Sequence, residues 1–235
     1  MPKDSGIGAS SKRREDVRFL TGAGNYTDDI NLHGQSHVFF LRSDIAHGTI
    51  KNIDSAAAAD MPGVIRIFTG ADFEGIGGLP CGWQVTDKHG QPMQEPAHPV
   101  IAQGKVRYVG EIVAAVVAET LEQARDAAEV IDLDIDELPA VIDMKAALTE
   151  GSPKVHDDLT SNLCYDWGFV EENKDAVTQA FKDAAHVTTL DLVNNRLVAN
   201  PMEPRVAIGD FSRGTGEHTL YTTSQNPHVI RLLMG

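Results

Sequence analysis

The residues able to do chemistry in this chain are few and scattered. His33 and His37 have the i, i+4 spacing of two metal ligands on a helix, but they enclose Gly34 and stand at the start of a strand-like run. That context favours ordinary strand residues over a metal site. The run DLDIDE, residues 132–137, begins like a calcium loop, yet Glu137 occupies the sixth position where glycine must turn the chain, and Leu133 and Ile135 intervene. Its period of two describes a strand with one solvated face. Gly6, Gly8, Gly22 and Gly24 form G-x-G fragments with no strand before them and no helix after, so they carry no dinucleotide fingerprint. Walker and G-x-S-x-G sequences are absent as well. What is left is the string TTSQNPHVIRLLMG, residues 222–235, in which the uncharged amide of Gln225 precedes Pro227. His228 and Arg231 follow three apart, on one face of the helix that Pro227 would open. Gln225 also reads simply as a polar residue at a strand end, and His228 and Arg231 as a solvated helical face. Glu203 in PMEPR is a further acid, read as a structural landmark pairing with Arg196 or Arg205. Alone, these residues make no self-contained catalytic constellation.

The elements that must hold them are easier to read. Residues up to 29 form an irregular charged arm ending in the turn-rich GAGNYTDDI. Strand signals follow at residues 38–41, 49–53 and 63–70, the last carrying Val64, Ile65, Ile67 and Phe68. Between the second and third, DSAAAADMPG predicts a brief helix opening at Asp54 or Ser55 and stopped by Pro62 and Gly63. Residues 75–99 hold so many Gly and Pro residues that a long loop without regular elements is expected, and loops of that length usually serve function or pack on something outside the chain. The apolar run Ile112–Ala118 predicts a strand buried on both faces. A helix follows, with Thr120 and Gln123 as a capping box and Leu121, Ala124, Ala128 and Ile131 along one face.

Residues 144–163 read as a connection, and the domain boundary is placed there. Beyond it, Val177, Ala180, Phe181 and Ala184 form a helical stripe behind Asn173 or Asp175 as cap. VTTLDLVNNRLVANP is strand-like, and SRGTGE predicts a hairpin turn joining PRVAIGDF to HTLYTTS. The fold class is α+β.

Composition narrows the function. At 235 residues the chain is comfortable for two domains, and its 42% hydrophobic and 23% charged content is that of a globular protein. Acids outnumber bases 34 to 20, which disfavours nucleic-acid backbones and anionic membrane surfaces. No run approaches the roughly 18 apolar residues of a membrane span. Arg13 and Arg14 are followed by Glu15 and Asp16 rather than an apolar segment, so export is not indicated and a cytoplasmic location is expected. The two cysteines, Cys81 and Cys164, have no C-x-x-C neighbour and cannot supply the four thiolates of an iron–sulfur cluster; reduced thiols are expected.

Five strings, in order along nearly the whole chain, carry a resemblance. KRREDVRFLTGAGNYTDDI is similar to the N-terminal arm, DMPGVIRIFTGAD and VRYVGEIVAAVVAET to the α/β hammerhead domain, and NNRLVANPMEPRVAI with LYTTSQNPHVIR to the opening of the cofactor domain of one family. That family is the molybdopterin-binding large subunits of xanthine dehydrogenase and aldehyde oxidase, with the carbon monoxide dehydrogenase branch the nearest resemblance. The resemblance implies an N-terminal arm at 1–29, a hammerhead domain at 30–145, and the beginning of a molybdopterin-binding domain at 146–235. It implies hydroxylation of carbon monoxide, aldehydes or N-heterocycles with water as oxygen source. The cofactor would be molybdopterin, in its cytosine dinucleotide form, with FAD on a medium subunit and 2Fe-2S clusters on a small subunit of an oligomer. The metal is held in that family by the pterin dithiolene rather than by a protein side chain, so no residue here is expected to ligate it. At the position of Gln225 the family's glutamine hydrogen-bonds near an oxo ligand of molybdenum, a place for a donor that adds no charge to a redox centre. The family's Gly-rich, Phe-containing loop, its substrate-discriminating loop and its general-base glutamate would lie beyond residue 235, so no catalytic residue is assigned. These residues are thus expected to be the N-terminal portion of a large subunit, inactive alone. The competing expectation is a non-catalytic hammerhead module docking on FAD and iron–sulfur subunits through residues 75–99.

Overall fold

A computed structural model describes residues 6–10, 12–168 and 173–235. They divide into two compact units, one of residues 35–189 and one combining the residues up to Gly34 with Leu190–Gly235.

The larger unit is built around the apolar strand. β1 (His37–Arg42), β2 (Gly48–Asp54), β3 (Val64–Thr69), β4 (Lys105–Val106), β5 (Ile112–Ala118) and β6 (Asp132–Glu137) form two three-stranded antiparallel sheets, ordered β1-β5-β3 and β4-β2-β6. As the central strand of its sheet, β5 has both edges paired, and its side chains alternate between two cores. Ala114, Val116 and Ala118 face a cluster completed by Ala58, Ala124, Ala127, Ala128 and Ile131. Val113 faces the other way, into a cluster with Ala102, Val106, Ile50 and Ile135. That is why the sequence shows an unbroken apolar run here instead of an alternation. In β6 the exposed carboxylates alternate with the half-buried Leu133 and Ile135, as its period of two predicts.

The covering helices follow their start signals. In α3 (Leu121–Val130) the Thr120 hydroxyl accepts from the Gln123 N–H and the Gln123 side chain accepts from the Thr120 N–H, the reciprocal box expected. Its buried face is Ala124, Ala127, Ala128 and Ile131, whereas Leu121 stays exposed at the first turn. Small residues let the helix lie close on the sheet. α2 (Ala56–Ala59) is one turn long; Asp54 rather than Ser55 supplies the cap, its carboxylate accepting from the Ala56 N–H. Gly63, with φ of +81°, turns the chain into β3.

In the smaller unit, β7 (Ala207–Phe211) and β8 (His218–Thr222) form the predicted hairpin, in register from Ala207↔Thr222 to Phe211↔His218. Gly216, at φ of +73°, makes the turn. Two readings are corrected. The arm is not wholly irregular: α1 (Asp16–Leu20) is a short helix with Arg13 paired to Asp16, and Phe19 stacks on Tyr26. The strand-like VTTLDLVNNRLVANP has no regular secondary structure, and Leu190, Leu192, Val193, Leu197 and Val198 are all exposed. Strand propensity is insufficient here because a strand needs a neighbouring strand for its backbone groups, and among the described residues this segment enters no sheet. In the larger unit, α4 (Lys174–Asp183) forms behind Asn173 as expected, but Val177 and Phe181 on its apolar stripe remain exposed.

Candidate functional site

Gln225 lies in the short link between β8 and α5 (Pro227–Met234). Its side chain is exposed. Pro227 opens the helix at a position where its missing N–H costs nothing, and the Ile230 N–H bonds back to the Asn226 carbonyl. Asn226 does not cap the helix with its side chain; its N–H is instead taken by the Ser224 hydroxyl at 2.9 Å.

Two hydroxyls fasten the same link at its other end. The Thr222 Oγ1 donates to the Val206 carbonyl at 3.0 Å, and the Thr223 Oγ1 donates to Glu203 Oε1 at 3.1 Å. Glu203 is therefore not paired with Arg196 or Arg205 as expected; the neighbouring strand end brings a hydroxyl closer than either cation. Glu203 is half-buried while Met202 and Pro204 beside it are exposed. Sequence reading missed this role of Thr222 and Thr223, although two β-branched hydroxyl residues directly before a strand-to-helix link are the signal that could have found it.

A cleft of about 1150 Å³ opens between the hairpin and α5, lined among others by Phe211, His218, Leu220, Ser224, Ile230 and Arg231. His218 packs on Phe211 with ring centres 4.6 Å apart. Arg231 thus reaches the cleft, whereas Gln225 and His228 do not line it. The three residues singled out in sequence are brought onto one link and one short helix but not into one pocket. Among the described residues no three His, Cys, Asp or Glu side chains gather as a metal site.

Residues 75–99 carry no named strand or helix but are ordered by pairing. An isolated bridge joins Thr86 and Pro92, and the Asp87 carboxylate accepts from the His89 and Gln91 N–H groups. These bonds hold the Asp87 carboxyl below its ordinary value. The loop is tied to residues 164–166 by Gln94 N–H to the Cys164 carbonyl at 2.8 Å, Lys88 N–H to the Asp166 carbonyl at 2.8 Å, and a Lys88–Asp166 ion pair at 2.6 Å. Both cysteines are free thiols; Cys164 Sγ donates to the Gln94 carbonyl and Cys81 Sγ to that of Trp83. Trp83 and Leu79 present exposed apolar surface.

Two family models match in the order that the elements predict. Residues 21–139 match the aldehyde oxidase and xanthine dehydrogenase a/b hammerhead domain, and residues 155–235 the molybdopterin cofactor-binding domain. The chain belongs to the aldehyde oxidase and xanthine dehydrogenase family. It is 34% identical over 97% of its length to the nicotine 6-hydroxylase large subunit of Paenarthrobacter nicotinovorans, and 33% identical over 94% to the carbon monoxide dehydrogenase large chain of Hydrogenophaga pseudoflava. It superimposes on quinoline 2-oxidoreductase of Pseudomonas putida 86 with a TM-score of 0.82 and 36% identity, over 97% of this chain. It spans 27–28% of the length of each of these proteins. The α+β class and the hammerhead followed by the start of a molybdenum-binding domain thus stand as read.

The residues present fit one edge of a molybdopterin site. Gln225 carries an exposed uncharged amide on a link tied to Glu203 through Thr223 and closed locally by the Ser224–Asn226 bond, donor chemistry that such a group accepts.

Proposed function

We propose that these residues are the N-terminal portion of the large subunit of a cytoplasmic molybdenum hydroxylase. The enzyme would hydroxylate carbon monoxide, an aldehyde or an N-heterocycle with oxygen from water. The observation that carries this reading is the ordered pair of family matches, hammerhead then cofactor domain, over 21–139 and 155–235. In the complete subunit the division would be an arm at 1–29, the hammerhead at 30–145 and the cofactor domain from 146 onward.

When bound, the molybdenum cofactor, proposed here in its cytosine dinucleotide form, supplies the two-electron redox chemistry. In the complete enzyme, 2Fe-2S clusters on a small subunit and FAD on a medium subunit would serve as the electron acceptors. The part played by this chain is narrower. Gln225 donates from its amide Nε2 and adds no charge beside the redox centre, while the Thr222 and Thr223 hydroxyls and Ser224 keep the link that carries it in place.

In the complete enzyme, Gln225→Ala should lower kcat by roughly 10–100-fold, the usual cost of losing an outer partner of a metal centre. Steady-state kinetics would check this, and unchanged turnover would remove the role. Molybdenum analysis of the 235-residue chain by itself supplies a second test: a stoichiometric metal content would contradict the view that it holds only one edge of the site.

A further inference from the structure

We infer that Glu203 is a positioning residue for Gln225, an inference that rests on the cofactor role proposed for that glutamine. The β7–β8 ladder ends at Ala207↔Thr222, so backbone pairing no longer fixes the chain from Thr223 onward. Just past that end, two side-chain bonds take over. Thr222 Oγ1 reaches the Val206 carbonyl and Thr223 Oγ1 reaches Glu203 Oε1, stitching residues 203–206 to residues 222–223. The second bond is solvent-exposed, and its acceptor is a carboxylate on the partly buried Glu203.

Gln225 follows only two residues later, before Asn226 is fixed by the Ser224 hydroxyl. The amide therefore sits between the Thr223–Glu203 tie and the start of α5, where the Ile230 N–H bonds to the Asn226 carbonyl, with the Ser224–Asn226 bond closing the turn around it. Without the Thr223–Glu203 tie, Thr223 and Ser224 regain backbone freedom, and the Gln225 amide loses its aim without losing any contact of its own. The carboxylate need not touch the cofactor, which makes Glu203 a positioning residue and not a catalytic one. An acceptor is what the Thr223 hydroxyl requires, not a charge. Gln at 203 can supply one from its amide oxygen; Ala cannot.

The test compares Glu203→Ala, Glu203→Gln and Gln225→Ala. In amide NMR spectra of the 235-residue chain, Glu203→Ala should shift the Gln225 and Asn226 backbone signals while leaving those of β5 and α3 unmoved, and Glu203→Gln should restore them. In the complete enzyme, the Mo(V) electron paramagnetic resonance spectrum should change in the same direction for Glu203→Ala and Gln225→Ala, with kcat lowered roughly tenfold or more and KM little altered. A changed spectrum in Gln225→Ala with a wild-type spectrum and wild-type NMR signals at residue 225 in Glu203→Ala would overturn the positioning role and leave the cofactor reading standing. A wild-type spectrum in both would overturn both.

Discussion

Two helices of similar sequence pattern meet opposite fates in the two units. α3 and α5 each carry an apolar stripe behind a recognisable start signal, yet Ala124 and Ala127 of α3 are 0% exposed while Leu232 and Met234 of α5 are 81% and 75% exposed. The difference lies in what each helix faces. α3 lies on a sheet whose central strand has both edges paired, whereas the apolar side of α5 meets no sheet among the described residues beyond one edge of the hairpin cleft. Amphipathicity therefore reports that a helix is meant to be covered, and only the surrounding fold supplies the cover. Stability should accordingly reside in residues 35–189, while residues 190–235 present surface, the Gln225 amide included.

The sharpest way to break that contrast is to put a charge in each unit. Val116→Asp buries an unpaired carboxylate in the fully enclosed centre of β5 and should cost on the order of 4 kcal/mol or more, whereas Val193→Asp on the exposed run should change stability by less than about 0.5 kcal/mol. Urea unfolding of both variants would measure this, and equal losses would end the distinction between the units.

Capping offers a smaller version of the same comparison. Thr120→Ala removes one half of a complete box and should destabilise by about 1 kcal/mol. Asn226→Ala removes a side chain that caps nothing, so only a few tenths of a kcal/mol is expected. Shifts in the urea midpoint would separate them, and a larger loss at Asn226 would show that α5 depends on its start more than its geometry indicates.

The smallest effect concerns the turn at residues 155–162, tied to Lys105 and Ala147. Burial, with help from the Arg107 guanidinium, holds His156 below its ordinary 6.5, and the hydrogen bond and charge of Lys105, 2.5 Å away, hold Asp157 below its ordinary 3.8. Both folded-state values are depressed, so the unfolded chain binds more protons and stability rises with pH through each window. The His156 contribution is complete above 6.5 and lost as pH falls through its lower folded value; that of Asp157 is complete above 3.8 and lost below it in the same way. The protection factor of the Val155 amide, which donates to Asn162 Oδ1, taken relative to the intrinsic exchange rate at each pH, should fall slightly as pH drops below 6.5 and again as it drops below 3.8. His156→Gln should abolish the first step only. A first step that persists in that variant would assign it to another group.

Much of this molecule can be read directly from its residues. Thr120 and Gln123 announce α3, the Ile112–Ala118 run announces a strand enclosed on both faces, and SRGTGE announces the hairpin, because each signal acts over a few neighbouring residues. The order of motifs pointed to the family, and through it to Gln225. Longer-range matters were hidden. β4 is only two residues long and exists because Gly48 and Thr49 lie opposite it, not because Lys105 and Val106 favour strands. The run at 187–201 has strand-forming residues and no strand, because among the described residues no sheet takes it in. The acceptor of the Thr223 hydroxyl, Glu203, stands twenty residues away in sequence, and proximity across a hairpin is set by the register of its ladder. Local propensity, caps and hydrophobic period were thus fixed by the sequence itself. Which surfaces are covered, and which side chain accepts from the Thr223 hydroxyl, was decided by tertiary structure, since burial and hydrogen bonding depend on what the rest of the chain brings alongside.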